Sequence, residues 1–225
     1  MNDVFDKLLS FSDHLNKKNF QKMVSGLIEN SHKILDVGCG IGDYLVYTNA
    51  KQDVTAVEPH LPYIEKSKER TPWVKYFNED ALSFFSKVNE QYDLILMIDV
   101  VEHLNEDEGF KLIEEAKKHC TGILFAQIPI GEHPQNEDHW NLNGEYWQTH
   151  RTDWDENKII NAKFSLYQIW RDWYDWDHKD KDLAVAIWSN YPLVSVVVPS
   201  YNQAEWLPKT LDSIIDQTYP LWEAI

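Results

Sequence analysis

Three glycines stand in five positions, 38 to 42, within the stretch ILDVGCGIGDY (34–44), directly behind a run of aliphatic and β-branched residues. Glycines that dense let a ligand approach bare backbone. A strand-to-helix turn there, with a helix expected to begin near Asp43, would also set the ligand at a positive helix end. Asp36 lies two positions ahead of Gly38, and Glu58 follows 22 residues after Asp36, where a carboxylate grips ribose hydroxyls in nucleotide-binding α/β units. The dinucleotide fingerprint G-x-G-x-x-G would need a third glycine where Asp43 stands. A carboxylate just ahead of the glycines suits a ligand's amino group, and an acidic site would repel a diphosphate. The chemistry indicated is the binding of a sulfonium amino acid attached to adenosine.

A second set of chemistry-bearing residues lies in GEHPQNEDHWNLNGEYWQTHRTDW (131–154). It holds His133, His139 and His150 among Glu132, Glu137, Asp138 and Asp153. Transfer of a group to a hydroxyl needs in-line geometry and a base, because a protonated hydroxyl is a poor nucleophile. His139, beside a carboxylate, is the first choice for that base and His133 the second. Both also read as surface histidines of a polar loop. The same residues could ligate a divalent cation, but their spacing is not that of a fixed ligand set, and no metal site is favoured. Seven of the ten tryptophans fall between 140 and 188. Trp140 and Trp147 suit an acceptor-binding platform, and the others suit core packing.

The elements that must position these residues follow from periodicity. Short apolar runs at 32–37, 52–58, 72–77, 92–99 and 120–128 lack polar alternation, as strands buried on both faces do. Charged, helix-prone stretches separate them. The clearest is 105–119, with Asn105 and Glu108 placed as a capping box. Strand and helix alternating in this way predict a doubly wound parallel sheet. Residues 163–176 and 182–190 read as two strands that close the sheet as an antiparallel hairpin. Residues 129–157 form an acceptor-side insert. Helical spacing of apolar residues over 3–28 predicts a helical cap in 1–30.

ILDVGCGIGDY, together with AVEP, NEDAL and YDLILMIDVVEHL, resembles the class I S-adenosylmethionine-dependent methyltransferases over about residues 30–130. The resemblance implies an α/β Rossmann-like fold with a seven-stranded, mostly parallel sheet. It implies that Asp36, Gly38, Cys39, Gly40 and Gly42 line the methionine end of the cofactor. Glu58 takes the ribose hydroxyls, with Pro59 beside it. Asp80 and Ala81 meet the adenine, and Asp99 and Val100 lie near the reacting methyl. Glu102 and His103 match the family's EH pair, which makes His103 a third candidate for a direct chemical role. Residues 192–225 resemble the start of a family 2 glycosyltransferase of GT-A fold, although they also read as a last strand and helix of the first domain. The resemblance implies a methyltransferase domain over 1–190, a glycosyltransferase fragment over 191–225, and the front of a longer bifunctional protein of polysaccharide biosynthesis. The acceptor it implies is a sugar hydroxyl or terminal group of a surface glycan. An inactive cofactor-binding module that regulates the fused domain, or a quinone- or lipid-type methyltransferase, are the alternatives.

Composition narrows the partners. With 37 acidic and 21 basic residues the formal net charge is −16, which disfavours nucleic acid and anionic membrane surfaces. Cys39 and Cys120 are far apart and make no disulfide framework. The first residues lack a signal-peptide pattern and nothing reaches membrane-spanning length, so a cytoplasmic location is expected.

Overall fold

The computed structural model describes residues 17–173, 181–190, 194–199, 205–215 and 222–224. The elements in chain order are α1 (Lys17–Glu29), β1 (Lys33–Val37), β2 (Asp53–Val57), α2 (Leu61–Arg70), β3 (Lys75–Phe77), α3 (Ala81–Phe85), β4 (Tyr92–Ile98), α4 (Glu106–Lys118) and β5 (Cys120–Ile130). They continue with α5 (Glu145–Gln148), α6 (Glu156–Asn161), β6 (Leu166–Trp173), β7 (Lys181–Ser189), β8 (Val194–Val196), α7 (Leu207–Ile215) and β9 (Trp222–Ala224).

Strands β1 to β7 form one sheet in the order β3-β2-β1-β4-β5-β7-β6. The first five run parallel, whereas β7 lies antiparallel to both β5 and β6, with Ala126 opposite Ala186. This is the expected sheet and hairpin. Period-two alternation splits each central strand between two cores. Ile34, Leu94 and Leu96 join Phe20, Val24 and Leu27 of α1 on one face. Leu35, Val37, Ile95 and Met97 join Leu112, Ile113 and Ala116 of α4 on the other. A sheet covered on both faces has no use for polar residues in its middle strands, hence the uninterrupted apolar runs. The Asn105–Glu108 capping box is present at the start of α4.

Two expectations need correction. The helix expected near Asp43 is a single 3-10 turn, Leu45–Tyr47. Its sequence is aromatic and β-branched, and Thr48 ends it by donating its hydroxyl to the Leu45 carbonyl (2.7 Å). The glycine turn therefore has no full helix behind it. The strand expected over 72–77 shrinks to Lys75–Phe77 at the sheet edge, where Lys75 and Phe77 are exposed. Of the N-terminal cap, Lys17–Glu29 is helical and residues 1–16 lie outside the described residues. Strands β8 and β9 make a separate parallel pair with Val194 opposite Trp222, connected through α7. No helix among the described residues is long and apolar enough to cross a membrane.

Candidate active site

The sheet reverses direction of winding between β1 and β4, where a cleft opens at the strands' C-terminal ends. Its volume is about 770 Å³, ample for a nucleoside-sized ligand. Gly38 and Gly40, at φ +67° and +53°, turn the chain over its floor. A methyl group on Gly40 would come within 2.5 Å of the Trp140 ring, and one on Gly38 within 2.9 Å of Val100. Gly42 differs from its neighbours. Its close approach, 2.0 Å from an added Cβ, is to the Ser67 hydroxyl on α2, so its role is packing and not the lining of the cleft that the sequence suggests.

Glu58 is 4% exposed at the end of β2. One carboxylate oxygen accepts the Gly40 amide (3.0 Å) and the other the His60 amide (2.9 Å). Burial pushes its pKa up to about 7 in spite of those amides. Burial and the neighbouring Glu58 charge push Asp36 up to about 8. Two buried carboxylates that resist ionisation therefore face the space beside the glycines. Cys39, Pro59, Asp80, Ala81, Asp99 and Val100 line the same cleft. Asp80 also caps α3 by accepting the Ser83 amide (2.8 Å).

The insert closes one side of the cleft. Asp138 accepts the amides of Trp140 (2.9 Å), Leu142 (2.5 Å) and Gly144 (3.0 Å). The two intervening asparagines, Asn141 and Asn143, adopt left-handed φ of 54° and 61°, and asparagine tolerates that region better than most residues. Burial alone would raise the Asp138 pKa. The Trp140 amide, the Tyr63 hydroxyl and the Gly144 and Leu142 amides together outweigh it and hold the carboxyl below its ordinary value. So built, the loop lays Trp140 edge-on against Tyr63 (4.7 Å between centroids) and receives His60 Nε2 on the Leu142 carbonyl (2.8 Å). The sequence offered a signal for this loop, an Asx followed by N-x-N-G, which is a turn pattern. Trp140 thus sits at the glycine end of the cleft, and Trp147 is also among its lining residues. Trp154 and Trp170 are core residues, 1% and 3% exposed.

The candidate bases all line the cleft. His139 is exposed, and its Nε2 meets the Gln135 side-chain oxygen (3.1 Å). Gln135 is oriented in turn by donating to Gln148 Oε1 (3.3 Å). His139 Nε2 is then the donor, which makes Nδ1 the acceptor nitrogen. His133 is buried and donates Nε2–H to the Ile130 carbonyl (2.8 Å), tying down the turn after β5. His103 is shifted down to about 4 by burial, so it stays neutral at physiological pH. The structure brings together a group that spacing did not reveal. Potential ligand atoms of Glu102, His103 and His150 lie within 4.8 Å of one another. Glu102 and His103 come from the turn after β4, and His150 from the insert 47 residues on.

The chain resembles known proteins in two segments. The family model described as "Methyltransferase domain" matches residues 34–121. Residues 34–121 form a class I S-adenosylmethionine-dependent methyltransferase domain. The fold agrees with that of solved methyltransferases. The N-methyltransferase NodS of Bradyrhizobium japonicum with S-adenosylhomocysteine is 15% identical at TM-score 0.55, covering 82% of this chain and 96% of that one. The N-terminal domain of EvdMO1, solved in the presence of S-adenosylhomocysteine and D-fucose, is 12% identical at TM-score 0.56, covering 79% and 84%. At such identities the likeness speaks for the fold. Beyond the methyltransferase domain, residues 195–225 match the model of glycosyl transferase family 2. A Bacillus subtilis glycosyltransferase named for teichuronic acid biosynthesis, TuaG, is 50% identical over 34 residues, which are 15% of this chain and 14% of that protein. The chain thus spans about one seventh of the curated relative it matches.

Proposed function

We propose that the methyltransferase domain transfers a methyl group to oxygen on a carbohydrate, a sugar hydroxyl or terminal group of a surface glycan handled by a glycosyltransferase on the same polypeptide. The observation that carries this reading is the two-ended cleft, glycines and buried carboxylates at one end and a polar, histidine-lined insert at the other. The family 2 glycosyltransferase segment, which starts a few residues after the last strand of the sheet, supports the choice of acceptor. The first domain then comprises residues 1–190 and the second begins at 191, and both work in the cytoplasm.

S-adenosylmethionine supplies an electrophilic methyl group, and the chain supplies its placement. Glu58 takes the ribose hydroxyls, which requires that it give up its proton and share its oxygens with the Gly40 and His60 amides. Gly38, Cys39 and Gly40 present backbone to the methionine end, where Asp36 offers a carboxylate for the amino group. Asp80 and Ala81 border the adenine, while Asp99 and Val100 border the reacting end. His139 accepts the acceptor hydroxyl's proton at Nδ1, with His133 and His103 as the second and third candidates.

The test is transfer of labelled methyl from S-adenosylmethionine to a panel of uronic-acid-containing oligosaccharides, nucleotide sugars and hydroxylated quinones. Label in the carbohydrates alone is expected. Label in the quinones alone would refute the carbohydrate reading, and failure to bind S-adenosylhomocysteine would refute the cofactor assignments.

A further inference from the structure

We propose that Glu102, His103 and His150 form a binding site for a first-row divalent metal ion at the acceptor end of the cleft. Its place there rests on the methyl-transfer reading, but its existence as a site does not. Glu102 is 1% exposed, yet neither of its carboxylate oxygens meets a protein donor at full hydrogen-bonding geometry among the described residues, the Val100 and Glu102 amides and the Asp99 carboxyl lying nearby. Burying a carboxyl group without donors is expensive, and folded chains keep such groups where something else satisfies them. The cation next to His150 does not do so. Arg151 spends its guanidinium on the backbone carbonyls of His103, Thr149 (3.3 Å) and Tyr146 (2.6 Å). What faces Glu102 is the Asp99 carboxyl, the backbone at Val100 and Glu102, and imidazole. His103 Nε2 stands 3.9 Å from Glu102 Oε1, and the His103 and His150 rings meet edge-to-face at 4.8 Å.

The tautomer is right for ligation. His103 Nδ1 points at the Thr149 carbonyl (3.4 Å). A carbonyl only accepts, so Nδ1 carries the proton and Nε2 keeps its lone pair toward Glu102, the outer-shell arrangement usual for a metal-bound histidine. The two segments are also held together independently of any ion. The Arg151 and Thr152 amides both donate to the Glu102 carbonyl (2.8 and 3.2 Å), and the Thr152 hydroxyl donates to Leu104 (2.7 Å). The ligands are therefore preorganised, and ion binding requires only small side-chain movement. Two imidazoles with one carboxylate select manganese, cobalt or zinc over calcium or magnesium, which prefer oxygen donors. An ion held here would coordinate an acceptor oxygen and lower its pKa.

The full chain, stripped with chelator, is titrated with Co²⁺ by visible absorption and with Mn²⁺ by electron paramagnetic resonance, in the absence of cofactor and acceptor. One equivalent bound at micromolar concentration is expected, with affinity at least tenfold weaker in Glu102→Gln and in His150→Ala. Circular dichroism and S-adenosylhomocysteine affinity, both expected to be retained in the variants, separate loss of the site from loss of the fold. No binding by the unaltered chain, or binding indifferent to both substitutions, would overturn the proposal. Metal bound by the chain without S-adenosylhomocysteine binding would uphold this site while refuting the cofactor reading. Metal bound with no stimulation of glycan methylation would overturn its place in the reaction.

Discussion

Glu58→Gln tests the electrostatics of the cofactor end through stability alone. The substitution keeps volume but replaces one acceptor oxygen by an amide donor. In the protein both oxygens accept backbone amides, those of Gly40 and His60. The new NH₂ must therefore face one of these N–H groups and leave it buried without a partner, which costs about 1–3 kcal/mol. Against this stands the strain of burying a charge. The Glu58 pKa rises from the ordinary 4.5 to about 7 on folding. At about 1.4 kcal/mol per pH unit, that difference is worth about 3 kcal/mol. Between pH 4.5 and 7 the folded protein holds a proton that the unfolded chain has released. Unfolding free energy therefore falls as pH rises through this window, and the loss is complete above about 7. Glutamine has no such loss. At pH 5 the variant is expected to be less stable than the unaltered protein by about 1–3 kcal/mol. By pH 8 the gap closes or reverses, because Asp36 is also relieved of its charged neighbour. Urea unfolding at pH 5, 6, 7 and 8 without cofactor measures both curves. A gap constant with pH, or one that widens as pH rises, would refute the reasoning.

Three further outcomes are expected. Gly42→Ala should lower the melting temperature by several degrees, since its methyl would press on Ser67 at a left-handed φ; adding Ser67→Gly should recover part of the loss, and full additivity of the two substitutions would count against the contact. Asp138→Asn should speed amide hydrogen exchange at Trp140, Leu142 and Gly144 at least tenfold, because an amide group cannot accept from all three; unchanged protection would show that the loop is held otherwise. His139→Ala should cut methyl transfer at least tenfold while calorimetry finds S-adenosylhomocysteine affinity unaltered, and full turnover would move the base elsewhere.

The sheet was legible because its evidence is local. Every central strand announces itself as an apolar run, and α3, α4 and α6 carry caps that neighbours in sequence supply, as Asn105 and Glu108 do for α4. Errors fell where tertiary contacts overrode local pattern. Residues 43–48 follow the glycines as a helix should, but they make only a 3-10 turn that Thr48 closes, and Thr48 accepts in turn from Trp73 (2.9 Å). Gly42 looked like its neighbours and packs against α2 instead. The histidines of the insert could be named but not sorted, since each one's role depends on what the fold sets beside it, Gln135 for His139, the Ile130 carbonyl for His133 and the His103 ring for His150.

By itself, then, the sequence determined the parallel sheet, the glycine turn, the acid at the end of β2 and the likeness of residues 195–225 to family 2 glycosyltransferases. All are set by residues within a few positions of one another or by repeating period. Only the tertiary structure decided which way the insert folds back. Asp138 gathers its own loop so that Trp140 reaches Gly40, and residues 148–152 dock on the turn after β4 so that His150 meets Glu102 and His103. Contacts across 40 and more residues depend on where the chain returns, and neither composition nor periodicity encodes that return.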